Sequence, residues 1–285
     1  MEPQKTAWQV GQQEGRAGTG NWDAFNRPIE DIYSAAEAWQ QAMRGVARPW
    51  LCWNLSDSWC LLQQKLVRAV GWTPVVGWDP SNGVGRPPLI PEAVAIDFNE
   101  RLRLPALWLH VPLEFAFLWT ERLAFWHADL LLPLPRLRQT AALFEALPDG
   151  EMAAVRSFGG VRNLLRFRNH RYWELLGCTT RGASESQFRC GSGWWRHIER
   201  HPNCPAEAER LRRQRYSYDH GVGIMYWKRR YGGHVHPISE GWVGEGHFAA
   251  FSVPGYREAA SKAQEMALNF DLKEIARRFG LEEFL

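Results

Sequence analysis

The sequence predicts an α/β fold, a β-sheet flanked by helices, and two stretches carry that expectation. Residues 48–57 read as a short apolar strand running into a polar loop. A helix follows through Trp59, Leu62, Leu66, Val67 and Val70, stopped by Gly71, and residues 73–78 form a second strand that ends at Asp79-Pro80. The same order recurs further on, with a strand over 107–113, a helix over 113–122 and an apolar run over 123–133. Strand-helix-strand units close by right-handed crossovers and bind ligands beyond the carboxyl ends of their strands.

The remaining elements follow in chain order. Residues 1–27 are polar and Gly-rich with little periodicity and read as a flexible arm. Ile32, Ala35, Ala36, Trp39 and Met43 have helical spacing behind Pro28 and Glu30. After Pro133-Leu134-Pro135, residues 136–147 carry a helical pattern closed by Pro148-Asp149-Gly150, and 151–158 read as a strand. A strand over 172–181 leads to a Gly-punctuated turn over 188–195, where Gly191 and Gly193 allow close backbone approach. Asp219 precedes a helix that runs through Trp227, an N-cap position by default. Residues 232–238 form a short strand with His234 and His236 on one face, a pair without a third nitrogen or sulfur ligand at fixed local spacing. Residues 256–285 are helical in pattern and form a C-terminal extension.

Composition narrows the function classes. A chain of 285 residues buries a full core, and one domain is the default expectation. No apolar run reaches transmembrane length, and the N-terminus lacks a basic then apolar leader, so a cytoplasmic protein without a membrane partner is expected. Five cysteines without CxxC spacing argue against a disulfide framework or zinc knuckle and for buried free thiols. No GxGxxG or Walker loop is present, which weakens dehydrogenase and kinase readings. A net charge of +3 gives no global case for nucleic acid. Locally, 156–171 and 210–230 interleave arginine with aromatic residues, a composition that grips phosphates and rings together but also suits a solvated helix face.

The run over 123–133 is interrupted by His127 and Asp129. An unpaired buried carboxylate costs several kcal/mol, so Asp129 must be paired, protonated or metal-bound. On a strand the two side chains share a face and can share a ligand. Alternatively the strand ends near Trp126, His127 caps a loop and Asp129 meets an arginine.

His127-Ala128-Asp129 resembles the DxD element of GT-A-fold nucleotide-sugar glycosyltransferases, with the first Asp replaced by His. The resemblance spans about 48–250 and implies a Rossmann-like single domain with a central mixed β-sheet, placed here at 28–255. It makes Asp129 the ligand of a divalent metal, Mn²⁺ or Mg²⁺, and puts His127 toward the donor. Glu245-Gly246-His247-Phe248 is similar to the Gly-flanked C-terminal segment whose histidine completes the metal shell, which implicates His247. By position, Asn54, Ser56, Asp57 and Asp79 contact the nucleoside, although Asp57 is also a candidate N-cap. Gly191, Gly193 and Trp194 would line the donor sugar, and Asp219 would stand beside the acceptor as catalytic carboxylate.

The resemblance implies sugar transfer from a nucleotide-sugar to a hydroxyl, and phage enzymes that modify hydroxymethylated pyrimidines in DNA are one such case. Arg212, Arg213 and Arg215 would then hold phosphates, with Tyr218 and Trp227 as stacking faces. A small-molecule, glycan or protein acceptor stands beside DNA. Two other classes remain: a non-catalytic nucleic-acid-binding protein, and a metal-dependent nucleotidyltransferase or hydrolase, which needs further clustered carboxylates.

Overall fold

Three parallel strands lie near the N-terminus, the first two buried on both faces and the third half-buried apart from Ile96. In the computed structural model they are β1 (Pro49–Trp53), β2 (Thr73–Trp78) and β3 (Val94–Asp97). The structure describes residues 29–54, 56–78, 86–97, 101, 110–156, 172–194, 221–248 and 271–285. The fold is α/β, with mixed β-structure and flanking helices. By internal packing the chain divides into two compact units: Met1–Leu109, Ala128–Ala141 and His247–Leu285 make one, and His110–His127 with Ala142–Gly246 the other.

In the first unit, β1 pairs with β2 from Pro49↔Thr73 to Trp53↔Gly77, and β2 with β3 from Val75↔Val94 to Trp78↔Asp97. Strands buried on both faces need continuous apolar sequence, and Pro49-Trp50-Leu51-Cys52-Trp53 supplies it. Parallel pairing also needs a crossover, which is α2 (Asp57–Ala69). Its buried face of Trp59, Leu62, Gln63, Leu66 and Val67 has the expected 3–4 residue spacing. Gly71, at φ +79°, turns the chain into β2. Before β1, α1 (Ile29–Ala42) buries Ile32, Ala35, Ala36 and Trp39. Gln64 amide atoms hold the backbone at Pro88 and Ile90. The last helix of this unit, Leu272–Phe279, is capped by Asp271, whose carboxylate accepts from the Lys273 and Glu274 amides, and it stops at Gly280 in the left-handed region.

The second unit holds a mixed sheet of its own. β4 (Arg122–Trp126) and β5 (Glu151–Arg156) both run antiparallel to β6 (Tyr172–Thr180), while β7 (His234–Ser239) lies parallel to β5. Thr180 leads directly into a helix, Arg181–Arg189, whose Gly182 amide is taken by the Asp149 carboxylate at 2.7 Å. Arg122 donates to the carbonyls of Phe144, Glu145 and Leu147, satisfying the free end of the helix Leu134–Glu145. Helix Val222–Arg230 starts at Gly221, where φ is +83° and a Cβ would sit 1.9 Å from the Tyr172 carbonyl oxygen, so only glycine fits.

Several expected elements take other forms. The run over 123–133 is not one strand: β4 stops at Trp126, and Ala128-Asp129 is a turn. Leu130, Leu131 and Leu132 are fully buried all the same. Apolar sequence reports burial, and a buried non-strand segment satisfies it as well as a strand. The helix expected over 113–122 is a five-residue helix, His110–Glu114, followed by a 3-10 turn, Ala116–Leu118. Part of the strand expected over 107–113, the N-terminal arm and residues 256–270 of the expected C-terminal extension lie outside the described residues. No described helix is long and apolar enough to cross a membrane.

Candidate metal centre at the end of strand β4

The carboxylate of Asp129 meets the imidazole of His247, with Oδ1 and Nε2 3.4 Å apart and both side chains largely buried. Backbone contacts hold them there. Leu130 forms an antiparallel bridge with His247, and the Phe248 amide donates to the Asp129 carbonyl at 3.1 Å. Gln63 of α2 donates to the Leu130 carbonyl at 2.9 Å, and the Phe248 ring packs edge-on against Trp59 at 5.4 Å. The Asp129–His247 pair is thus tied to the first turns of α2, beyond the carboxyl end of β1.

His127 stands two residues upstream of Asp129, just past β4, with its amide donating to the Leu175 carbonyl. It brings a third candidate donor to the Asp129–His247 pair by its place two residues before Asp129 in the chain. Glu174, buried in β6, approaches His127 Nε2 to 3.4 Å. A carboxylate beside a ligating imidazole orients the ring and raises its basicity. The group can chelate a divalent cation. Two imidazoles and one carboxylate suit Mn²⁺, Fe²⁺, Co²⁺ or Zn²⁺ better than Mg²⁺, which prefers oxygen donors.

Asn54 ends β1, buried, with its amide nitrogen donating to Asp57 Oδ1 at 3.0 Å. Its Oδ1 has no hydrogen-bond partner among the described residues, a buried acceptor open to a ligand donor or a water. Asp57 is not the cap of α2. Ser56 holds that position with extended backbone, its side chain makes no capping bond, and its hydroxyl lies 3.4 Å from that of Ser58.

The described part of the Gly-punctuated turn is tightly packed. Gly193 has no Cβ because one would lie 2.7 Å from the Glu114 carboxylate, and Trp194 is 2 % exposed, packed edge-on against Phe125. Gly191, at φ +59°, closes the helix Arg181–Arg189. Trp227 offers no stacking face: it is 1 % exposed, donates to the Ser186 hydroxyl at 3.0 Å and lies flush against Gly233, whose added Cβ would reach the ring at 2.1 Å. Most of the described tryptophans fill core, as their large apolar area favours. Asp79, Arg212, Arg213, Arg215, Tyr218 and Asp219 lie outside the described residues.

Glu174 is absent from the residues that the sequence singles out, although an acidic residue inside the apolar strand Tyr172-Trp173-Glu174-Leu175-Leu176 is a visible signal. Gln63 gives none, since a polar residue on a helix reads as solvent-facing. No protein-family model, no curated protein and no solved structure matches the chain.

Proposed function

We propose that the protein is a metal-dependent glycosyltransferase that moves a sugar from a nucleotide-sugar to a hydroxyl acceptor. One observation carries the reading. The last residue of His127-Ala128-Asp129 meets His247 at 3.4 Å, and these are the two residues, far apart in sequence, that the GT-A resemblance names as metal ligands. The mixed α/β sheet and the position of the pair beyond a parallel strand agree with it.

A bound Mn²⁺ would supply positive charge against the diphosphate leaving group. Asp129 supplies the negative charge that retains the cation, and burial strengthens that attraction by excluding water. His247 and His127 add neutral nitrogen donors, so the site keeps net positive charge once loaded. Asn54 Oδ1 suits a donor group on the nucleoside. Asp219 is assigned to the acceptor hydroxyl, as its base if the configuration inverts. A nucleotidyltransferase or hydrolase with two metals needs several carboxylates, and this cluster contains one among the described residues.

The test is a thermal-shift screen of nucleoside diphosphates with and without Mn²⁺. A ligand at 100 times its Kd stabilises by about 2.7 kcal/mol. A metal-dependent rise in Tm with at least one nucleoside diphosphate is expected, and no shift with any of them overturns the proposal. For the acceptor, DNA held by Arg212, Arg213 and Arg215 requires an affinity that falls with salt, by a log-log slope of about −0.9 per phosphate contact. Negligible DNA binding with sugar transfer to a free small molecule removes DNA and leaves the transferase.

A further inference from the structure

Glu151 and His234 lie opposite each other where β5 and β7 pair in parallel, and His236 lies two residues further along the same strand. Alternation puts His234 and His236 on one face, and their rings sit 4.6 Å apart between centroids. Glu151 reaches both: Oε1 is 2.7 Å from His234 Nδ1, and Oε2 is 2.5 Å from His236 Nε2. The third ligand that the histidine pair lacks in the sequence therefore comes from the neighbouring strand, by register.

We propose that Glu151, His234 and His236 form a second metal site, separate from the one at Asp129, that takes a borderline first-row divalent cation of the zinc class. Two imidazole nitrogens and one carboxylate oxygen are a donor set for zinc, with the fourth tetrahedral position left to water or another small ligand. Hard cations such as Mg²⁺ and Ca²⁺ are disfavoured because they require mostly oxygen donors.

The geometry needs little adjustment. All three ligand atoms lie within 4.8 Å of one another. Ligands bound at about 2.1 Å in a tetrahedron stand about 3.4 Å apart. Each imidazole must therefore draw back from the carboxylate by under about 1 Å, exchanging a hydrogen bond for a metal bond. The His234 side chain is 58 % exposed and that of His236 35 %, so both rings have room to move and the cation has a path from solvent. The backbone beneath them is fixed by six consecutive β5–β7 residue pairs. Without a metal, the same three groups form a His-Glu-His ion pair, which is the alternative that the experiment excludes or establishes.

The experiment is equilibrium dialysis of the full chain against Zn²⁺, with bound metal counted by atomic emission in the wild type, His234→Ala and Glu151→Gln. Each variant is expected to lose one equivalent at a free zinc concentration that saturates the wild type. Glu151→Gln keeps the side-chain shape and His234→Ala alters an exposed position, so the two guard against a misfolded variant. Unchanged stoichiometry and Kd in either variant overturn the site. His234→Ala should also keep any Mn²⁺-dependent shift with a nucleoside diphosphate. That readout belongs to Asp129, so failure here and failure of the transferase reading are told apart.

Discussion

Two groups of one carboxylate and two imidazoles occur among the described residues, and they differ in how they are built and how much water they meet. Asp129 and His247 have side chains only 8 % and 20 % exposed, and they are joined by a bridge between segments distant in sequence. Glu151, His236 and His234 are 23 %, 35 % and 58 % exposed and are aligned by the register of two adjacent strands. Charge in the first group acts through protein, where interactions are several times stronger than in water; charge in the second is screened by solvent and salt. The same donors therefore act in different surroundings. Under the proposed transferase reading the buried group would hold a cation against the leaving group, while the exposed one would hold a cation as a local feature of the surface.

The largest effect should come from Asp129→Asn, which keeps the side-chain shape and removes the charge. Mn²⁺-dependent nucleotide binding should disappear in the thermal-shift assay, with circular dichroism unchanged. His247→Ala should weaken Mn²⁺ binding less, because a neutral donor is lost in place of a charge. If Asp129→Asn unfolds the chain and the wild type binds no metal, Asp129 is an ion-pair partner only, and the contrast between the groups collapses.

A smaller effect is expected from Glu174→Gln, which leaves all three candidate ligands in place. Loss of the carboxylate beside His127 should weaken Mn²⁺ affinity by roughly 10-fold, at the lower end of the range for partners of ligating histidines. Titration calorimetry with the metal alone measures it. An unchanged Kd would show that His127 takes no part in the shell.

The smallest effect concerns acid stability of the metal-free protein. The Glu151 carboxyl is held below its ordinary value of 4.5, first by the hydrogen bond from His236 and then by that from His234. A carboxyl lowered in the folded state contributes stability that is present above the unfolded value and is lost as the pH falls through the folded one. Denaturant midpoints should therefore decline below about pH 4.5 more steeply in the wild type than in Glu151→Gln. Exposure keeps the difference small, and equal slopes would show that the three groups do not interact in solution.

Regularity decides which parts of the molecule are legible in the sequence. The crossover from β1 through α2 to β2 follows from a two-sided apolar strand, a 3–4 residue stripe and Gly71, all local signals. Metal ligation by Asp129 and His247 is expected from motif order, and the structure brings the two together. For the end of β4 the sequence leaves two readings open, a strand through the whole run or one that ends near Trp126, because Leu130, Leu131 and Leu132 are as apolar as the strand before them; the structure takes the second. Trp194 and Trp227 look like ligand contacts in the sequence because composition does not separate a stacking ring from a core ring. In the structure Trp194 packs edge-on against Phe125 and Trp227 lies flush against Gly233, both buried.

By itself the sequence determined the α/β class, the elements with strong periodicity and the residue types able to bind a cation. These depend on neighbours within a few positions, where 3.6-residue and two-residue repeats fix which side chains share a face. Only tertiary structure decided which donors meet. Glu151 becomes the third partner of His234 and His236 because β5 pairs in parallel with β7 in one register, and a one-residue slip would turn Glu151 to the opposite face. Glu174 reaches His127 by the same kind of long-range alignment, the antiparallel pairing of β4 with β6. Register is set by the burial of whole strand faces, a sum over many residues, and no local pattern around a histidine or a carboxylate encodes it.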